Sequence, residues 1–318
     1  MTEDYKLASL RQKQDLPLEG KIILTQQRIR EWYDHWQGEV YVSFSGGKDS
    51  TVLKHLVETT SGVDDVPSVF VNTGLEYPEI RMFAMSQPNV VTVRPEMRFD
   101  DVIKTYGYPI ISKDVSRRIY YAKKGSEWAV LAMQGLNTDG SESKFKRTNY
   151  CQHAYLVDAP FGVSDYCCTV MKKRPAKLYE KETGRKPIIG VMACESKQRT
   201  DAYLKTGCNA YAASRSVSKP LSFWTEQDIL EYILKYGLDY CSVYGEIKRD
   251  ENGKLYTTGC DRTGCMFCAY GAQRESAPNR FQRMKETHPR QYAYCMKSTE
   301  AGGLGLAEVL DYIGVPYE

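Results

Sequence analysis

Apolar positions along the chain follow two alternating rhythms. Between Thr25 and Gln37 they fall at Ile29, Trp32, Tyr33 and Trp36, the spacing of one helical face, and Gly38 breaks the run. Val40 to Ser45 then alternates and carries β-branched side chains, which predicts a strand. Gly46 and Gly47 turn the chain, and 49–58 reads as a helix. A second strand is expected over 66–72, closed by Thr73-Gly74, a third over 90–93, and a buried strand over 187–193. Thr225 opens a further helix, with Asp228 as its capping-box partner and Ile229, Leu230, Ile233 and Leu234 as its apolar face. Strands alternating with helices predict an α/β fold, a parallel sheet with helices on both faces.

Three segments follow from this pattern. Residues 1–37 read as an N-terminal helical arm, polar over 1–24; 38–236 as the α/β domain; 237–318, poor in strand signals and rich in Gly, Cys, Arg and Tyr, as a small cysteine-rich subdomain. With 318 residues, 42% of them apolar and 26% charged, the chain is an ordinary globular one, neither collagen-like nor disordered. Its longest apolar stretch, around Ile188 to Cys194, falls far short of the about 18 residues of a membrane span. The polar start, with no apolar segment behind it, predicts a cytoplasmic protein with no membrane partner.

Charge is nearly balanced, 43 basic against 40 acidic residues, so no global affinity for nucleic acid follows. Met171 to Lys186 is locally basic, with seven Lys/Arg against Glu180 and Glu182, and reads as a solvated helix face or an anion-binding one. Tyrosine is abundant, at 24 residues, and several tyrosines near Arg and Lys in 240–294 are either ordinary core and surface residues or a base-stacking set.

The segment Ser43-Phe44-Ser45-Gly46-Gly47-Lys48-Asp49-Ser50-Thr51 sits between a predicted strand and a predicted helix. Glycines there let the backbone approach a ligand, and the free N–H groups of the helix start favour an anion. Ser45, Ser50 and Thr51 add hydroxyls, and Lys48 adds a cation. Asp49 after Lys48 departs from the Walker A pattern, which needs Ser or Thr there. Asp49 and Glu76 are candidates to place Mg²⁺ against phosphates, or Asp49 simply caps the helix. Lys113 is either a phosphate contact or a surface lysine.

Ser45-Gly46-Gly47-Lys48-Asp49-Ser50 resembles the PP-loop of the N-type ATP pyrophosphatases, and specifically the phosphoadenosine phosphosulfate (PAPS) reductase family. The segment from Asn72, Thr73 and Gly74 through Glu76 to Glu79 is similar to the family's stretch after the second strand. Gly190 to Ala193 with Glu195, Ser196 and Arg199 resembles a segment that reaches nucleotide or substrate. Lys219-Pro220-Leu221-Ser222-Phe223-Trp224-Thr225 resembles the Pro-Leu-x-x-Trp-Thr signature. The resemblance spans about residues 40–235 and implies a Rossmann-like fold of the adenine nucleotide α-hydrolase type that binds ATP, PAPS or its adenylyl relative APS.

Ten cysteines are too few for a disulfide scaffold, and clustered ones in a reducing compartment point to metal or redox chemistry. Cys260-x4-Cys265-x2-Cys268 is compact enough for one centre and needs a fourth thiolate. Tyr166-Cys167-Cys168, followed by a Lys172-Lys173-Arg174 run, resembles the Cys-Cys segment of iron–sulfur sulfonucleotide reductases, which implies a [4Fe–4S] cluster. Two ligand sets remain: Cys167, Cys168, Cys265 and Cys268, or Cys168, Cys260, Cys265 and Cys268. The second is favoured because adjacent cysteines on one cluster are sterically strained. Structural zinc, completed by Cys168, His288 or Cys295, is the alternative. His153 and His288 belong to no base–nucleophile pattern and read as structural.

Sulfonucleotide reductases attack sulfur with a cysteine in a Cys-Gly-(Leu/Ile)-His tail. The sequence after Cys295 carries no such motif, whereas the Lys48-Asp49-Ser50 loop looks more like that of enzymes cleaving ATP to AMP and pyrophosphate. The resemblance therefore implies adenylation-linked sulfur chemistry, as in DNA phosphorothioation or tRNA thiolation. Lys48 and Asp49 are then the loop's catalytic residues, with a nucleic acid as possible acceptor and a cysteine desulfurase or thioredoxin as sulfur partner. A true PAPS or APS reductase is the second reading, with Cys295 its first candidate nucleophile, expected on a mobile segment before Gly302-Gly303. A non-enzymatic regulatory or nucleic-acid-binding protein on the same scaffold is the third.

Overall fold

The computed structural model describes residues 3–144, 150–212 and 215–318. Among them ten strands form: β1 (Val40–Phe44), β2 (Ser68–Val71), β3 (Val90–Val93), β4 (Ile110–Ile111), β5 (Lys186–Ile189), β6 (Asn209–Ala210), β7 (Val217–Ser218), β8 (Ile247–Arg249), β9 (Leu255–Thr257) and β10 (Ala269–Tyr270). The chain gathers into two compact units. The first holds Met1–Asn72, Glu76–Arg94 and Ala176–Thr263; the second holds Thr73–Leu75, Pro95–Pro175 and Gly264–Glu318. Met1 and Thr2, the start of the expected arm, lie outside the described residues.

The first unit is built on a six-stranded sheet in the order β3-β2-β1-β5-β7-β6. All neighbours are parallel except β6 and β7 at one edge. β1 is central: Ser43 lies opposite Val69 on one side and Ile189 on the other. Its Val40, Tyr41, Val42 and Phe44 are buried, as expected of a parallel strand covered on both faces. The helix Lys48–Glu58 follows β1 and packs Val52, Leu53, Leu56 and Val57 inward.

The expected boundaries at 37/38 and 236/237 both fall inside this unit. The polar arm is in fact two helices, Glu3–Gln14 and Leu18–His35. Leu10, Leu18, Ile22, Ile29 and Trp32 join the same core as β1 and β5, so the helix extends seven residues before Thr25. Leu238, Tyr240 and Ile247, beyond the expected C-terminal boundary, pack against that core too.

A buried ion pair ties the helix Leu18–His35 to the helix Glu226–Tyr236. Lys21 Nζ donates to both carboxylate oxygens of Asp228 at 2.7 Å, with the Lys21 side chain 3% exposed. Asp228 also accepts from the Thr225 N–H at 2.6 Å, completing the expected capping box. Beside it, Trp224 Nε1 donates to Thr25 Oγ1 at 2.8 Å.

The second unit is mainly helical, with β4 and β10 paired in parallel. The helix Lys113–Lys123 packs on the helix Glu127–Met133 and on the turn Cys151–Asp158. Ser116 Oγ accepts from the Ile110 N–H and donates to the Ile110 carbonyl, holding β4 to that helix. The helices Arg280–Thr287, Pro289–Met296 and Leu306–Tyr312 follow, the first capped by Asn279.

Breaking a buried pair strands a charge away from water. Lys21→Met is therefore expected to destabilise the protein by about 3–5 kcal/mol. Adding Asp228→Leu should recover most of that, less about 1 kcal/mol for the lost cap. The midpoints of denaturant unfolding measure both.

Candidate functional site

The phosphate-loop segment leaves β1 at Phe44 and enters the helix at Lys48. Gly46 sits at φ +73°, and a Cβ there would stand 3.0 Å from the Ile80 carbonyl oxygen, so only glycine fits. The loop braces itself with hydroxyls. Ser45 N–H donates to Ser50 Oγ at 3.2 Å, Ser50 Oγ donates to the Gly47 carbonyl at 2.9 Å, and Thr51 Oγ1 donates to that carbonyl at 3.1 Å. The Cα of Gly190, after β5, approaches closely too; a Cβ there would lie 3.3 Å from the Asp49 carbonyl oxygen. Loop and Gly190 thus stand at the carboxyl ends of two neighbouring strands whose chains leave in opposite directions across the sheet, the usual ligand position of such folds.

Charges crowd this point. Lys48 is buried; its ammonium donates to the Asp261 carbonyl at 2.7 Å, pairs with Glu226 at 3.1 Å and lies 5.2 Å from the Tyr244 ring centre. Asp49 Oδ1 is buried with no hydrogen-bond partner, and burial holds its carboxyl above the usual carboxylate range, opposed by Lys48 and reinforced by Glu226. Arg262 and Arg199 also act on Asp49. Both pair with Glu195, Arg262 at 3.8 Å, and Glu195 accepts from the Met192 N–H at 3.0 Å. Cys194 is exposed beside this group and feels Arg262 and Asp49.

Tyr244, Thr263, Glu226, Arg262 and Cys194 are members that sequence reasoning missed. Tyr244 OH lies 2.6 Å from Thr263 Oγ1, 3.4 Å from the Lys48 nitrogen that donates to it, and 3.0 Å from where a Gly47 Cβ would stand. The signal available in the sequence was the arginine and threonine that stand between Cys260 and Cys265.

Among the expected site residues, Ser43, Asn72 and Glu76 share the loop's unit, and the Asn72 N–H donates to the Val93 carbonyl at 2.9 Å. Thr73, Gly74 and Lys113 belong to the second unit. There Thr73 Oγ1 accepts from the Leu75 N–H at 3.1 Å, and the Lys113 charge acts on Cys168.

The second unit also gathers the thiols. Cys167, Cys168, Cys265 and Cys268 lie near enough to act on one another's ionisation, whereas Cys260 belongs to the first unit and acts on Cys241. Cys168 and Cys265, 97 positions apart in the sequence, thus belong to the same unit. The adjacency of Cys167 and Cys168 is accommodated on the single helical turn Tyr166–Cys168, which widens into a π-turn over Thr169–Lys173. Donation from the Cys167 thiol brings Cys168 down to about 6, with Lys113, Lys172 and Lys173 helping, while the Cys167 thiol is pushed up. Burial raises Cys268 to about 11, and Arg280 Nη1 donates to its carbonyl at 2.8 Å. Among the described residues no three His, Cys, Asp or Glu side chains converge on a single metal ion.

Cys295 is not on a mobile segment. It is fully buried in the helix Pro289–Met296, and burial pushes its thiol well up, which removes the thiolate an attack on sulfur needs. Burial, with Arg274 adding, lowers the His153 imidazole, and His288 Nδ1 lies 2.8 Å from Thr287 Oγ1.

The profile of the phosphoadenosine phosphosulfate reductase domain family matches residues 39–107 and 136–270, more than half of the chain. The chain belongs to that family. A relative from Methanocaldococcus jannaschii, an uncharacterized protein, is 24% identical over 243 residues, covering 76% of this chain. The match spans only 38% of that relative's length. Two solved structures share the coverage of 76% of this chain. They are the PAPS reductase of Candida auris in a phosphate complex, at 16% identity, 98% of its chain and a TM-score of 0.37, and the FMN adenylyltransferase of Candida glabrata with ATP, at 12%, 66% and 0.41. Among the described residues no helix of this PAPS reductase-family chain is long and apolar enough to cross a membrane.

The two thiols should behave oppositely in metal-free folded protein. Alkylation of Cys168 by iodoacetamide is expected to rise as pH passes about 6 and the thiolate forms, whereas Cys295 stays unmodified until the chain unfolds. Peptide mapping after timed alkylation reads both.

Proposed function

We propose that this PAPS reductase-family chain binds ATP at the Ser45–Ser50 loop and transfers its adenylyl group to an acceptor oxygen, releasing pyrophosphate. The observation that carries the reading is the loop itself: a hydroxyl-braced turn at a helix N-terminus, with a buried lysine and two arginines acting on Asp49. Backbone N–H groups and Lys48 hold the phosphates there, and Arg199 and Arg262 stabilise charge that grows on the leaving pyrophosphate. The acceptor oxygen bonds to the α-phosphorus as the α–β bridge breaks, and its proton leaves to solvent or to a base. The orphaned Asp49 Oδ1 suits a Mg²⁺ ligand, an ion that would offset phosphate charge.

The second unit's thiols support the iron–sulfur reading with the ligand set Cys167, Cys168, Cys265 and Cys268. A zinc ion would draw its sulfurs to about 2.3 Å from one point. A [4Fe–4S] cluster would be held by four thiolates, and these four lie near enough to shift one another's ionisation. When bound, the cluster would supply sulfur or electron chemistry. Lys113, Lys172 and Lys173 favour the thiolate form of Cys168. Burial of Cys295 counts against the form of the reductase reading in which that thiol is the nucleophile.

With Mg²⁺ and an acceptor, ATP should yield pyrophosphate in a coupled assay, with AMP following only when a sulfur nucleophile or water displaces it from the adenylated acceptor, and PAPS with thioredoxin should yield no sulfite. Gly47→Val should remain folded and lose nucleotide binding, because its side chain fills the phosphate cradle beside Tyr244. Sulfite release without ATP turnover would reverse the reading. Anaerobically purified protein should carry about four iron and four sulfide per chain. Cys167→Ser should lower both and Cys260→Ser neither.

A further inference from the structure

The family match leaves out residues 108–135. In the second unit that stretch folds as the helices Lys113–Lys123 and Glu127–Met133, and it carries Lys113, Arg117, Arg118, Lys123 and Lys124 against only Asp114 and Glu127. The first helix buries Val115, Ile119 and Ala122. Its tyrosines are therefore surplus to the core, and they lie half-exposed.

Those rings form a chain. Tyr106 stacks on Tyr166 with centres 4.9 Å apart and planes 10° apart. Tyr120 is 5.1 Å from Tyr166, Tyr121 is 5.4 Å from Tyr120, and Trp128 is 5.5 Å from Tyr121. Lys124 Nζ sits 4.3 Å over the Tyr120 ring. The chain runs from Tyr106 through Tyr166, next in sequence to Cys167, and ends at a cavity of about 330 Å³ lined by Arg118, Trp128, Asn137, Thr138 and Tyr150 among others. The Arg118 guanidinium lies 3.8 Å from the Tyr150 ring centre and 5.4 Å from that of Trp128. Its Nε is buried with no hydrogen bond, 3.6 Å from the Asp114 carboxylate, and Trp128 is 37% exposed.

From this arrangement we infer that the 108–135 insertion is a binding surface for single-stranded nucleic acid, with an unpaired base in the Arg118–Trp128–Tyr150 cavity. Flat aromatic faces with cations between them match bases joined by phosphates. An acidic peptide would use the cations and leave the flat faces idle. A duplex hides its base faces in the stack and offers the rings nothing to pair with. The inference deepens the proposed function by naming its acceptor class, yet the binding step itself needs no ATP.

The test is fluorescence anisotropy of the full chain, without nucleotide, against labelled single-stranded DNA, single-stranded RNA of the same sequence, and the DNA duplex. At least one single strand should bind about tenfold or more tighter than the duplex, and the stronger of the two identifies the natural source. Affinity should fall with added salt. Trp128→Ala should weaken single-strand binding about tenfold, while Trp128→Phe, which keeps a ring, retains most of it. No single-strand binding, equal duplex binding, or wild-type affinity in a Trp128→Ala protein with unchanged circular dichroism overturns the inference. Pyrophosphate release is scored separately, so failure of the surface and failure of ATP chemistry give different results.

Discussion

The position of β1 between β2 and β5 governs the first unit. Both neighbours run parallel to it, yet the chain departs from β1 toward β2 and β3 on one side and returns to β5 and β7 on the other. Connections leaving the carboxyl ends of β1 and β5 therefore diverge and leave an opening between them. The Gly46-Gly47 turn lies at that opening with the amino end of the helix Lys48–Glu58 pointing into it. A buried strand of five residues thereby fixes where an anion can be held.

That placement also explains the electrostatics. Lys48 and Asp49 are drawn inward by the helix they begin, so neither charge is left to water. Lys48 finds Glu226, a carbonyl and an aromatic face; Asp49 keeps one oxygen unpartnered. Glu226 belongs to the helix that Thr225 and Asp228 cap, and Asp228 is held by Lys21. The helix that supplies the Lys48 partner is thus anchored at its start by the N-terminal helix, which makes residues 18–35 part of the site's support.

In the second unit the ordering element is the turn at Tyr166–Cys168. Two adjacent thiols on one helical turn split their ionisation: one donates and stays protonated, the other becomes acidic. The same turn presents Tyr166 to Tyr106 and Tyr120. Thiol chemistry and ring stacking consequently share a short stretch of backbone.

Much of the first unit was legible in the sequence because its signals are local. Alternation over Val40 to Ser45, the paired glycines, and Thr225 with Asp228 each specify a strand, a turn or a cap within a few residues, and all three are in place. The length of the N-terminal helix was not legible, since Lys21 reads as polar until a carboxylate 207 residues away gives it a reason to be buried. The same holds for the thiols. Spacing grouped Cys260 with Cys265 and Cys268; that Cys167 and Cys168 pack near enough to Cys265 and Cys268 to shift one another's ionisation is a matter of packing. Tyr244, Glu226 and Arg262 reach the loop from distant segments for that reason too. Short-range stereochemistry settles elements and turns; which side chains meet across long separations depends on burial, and only the folded chain decides it.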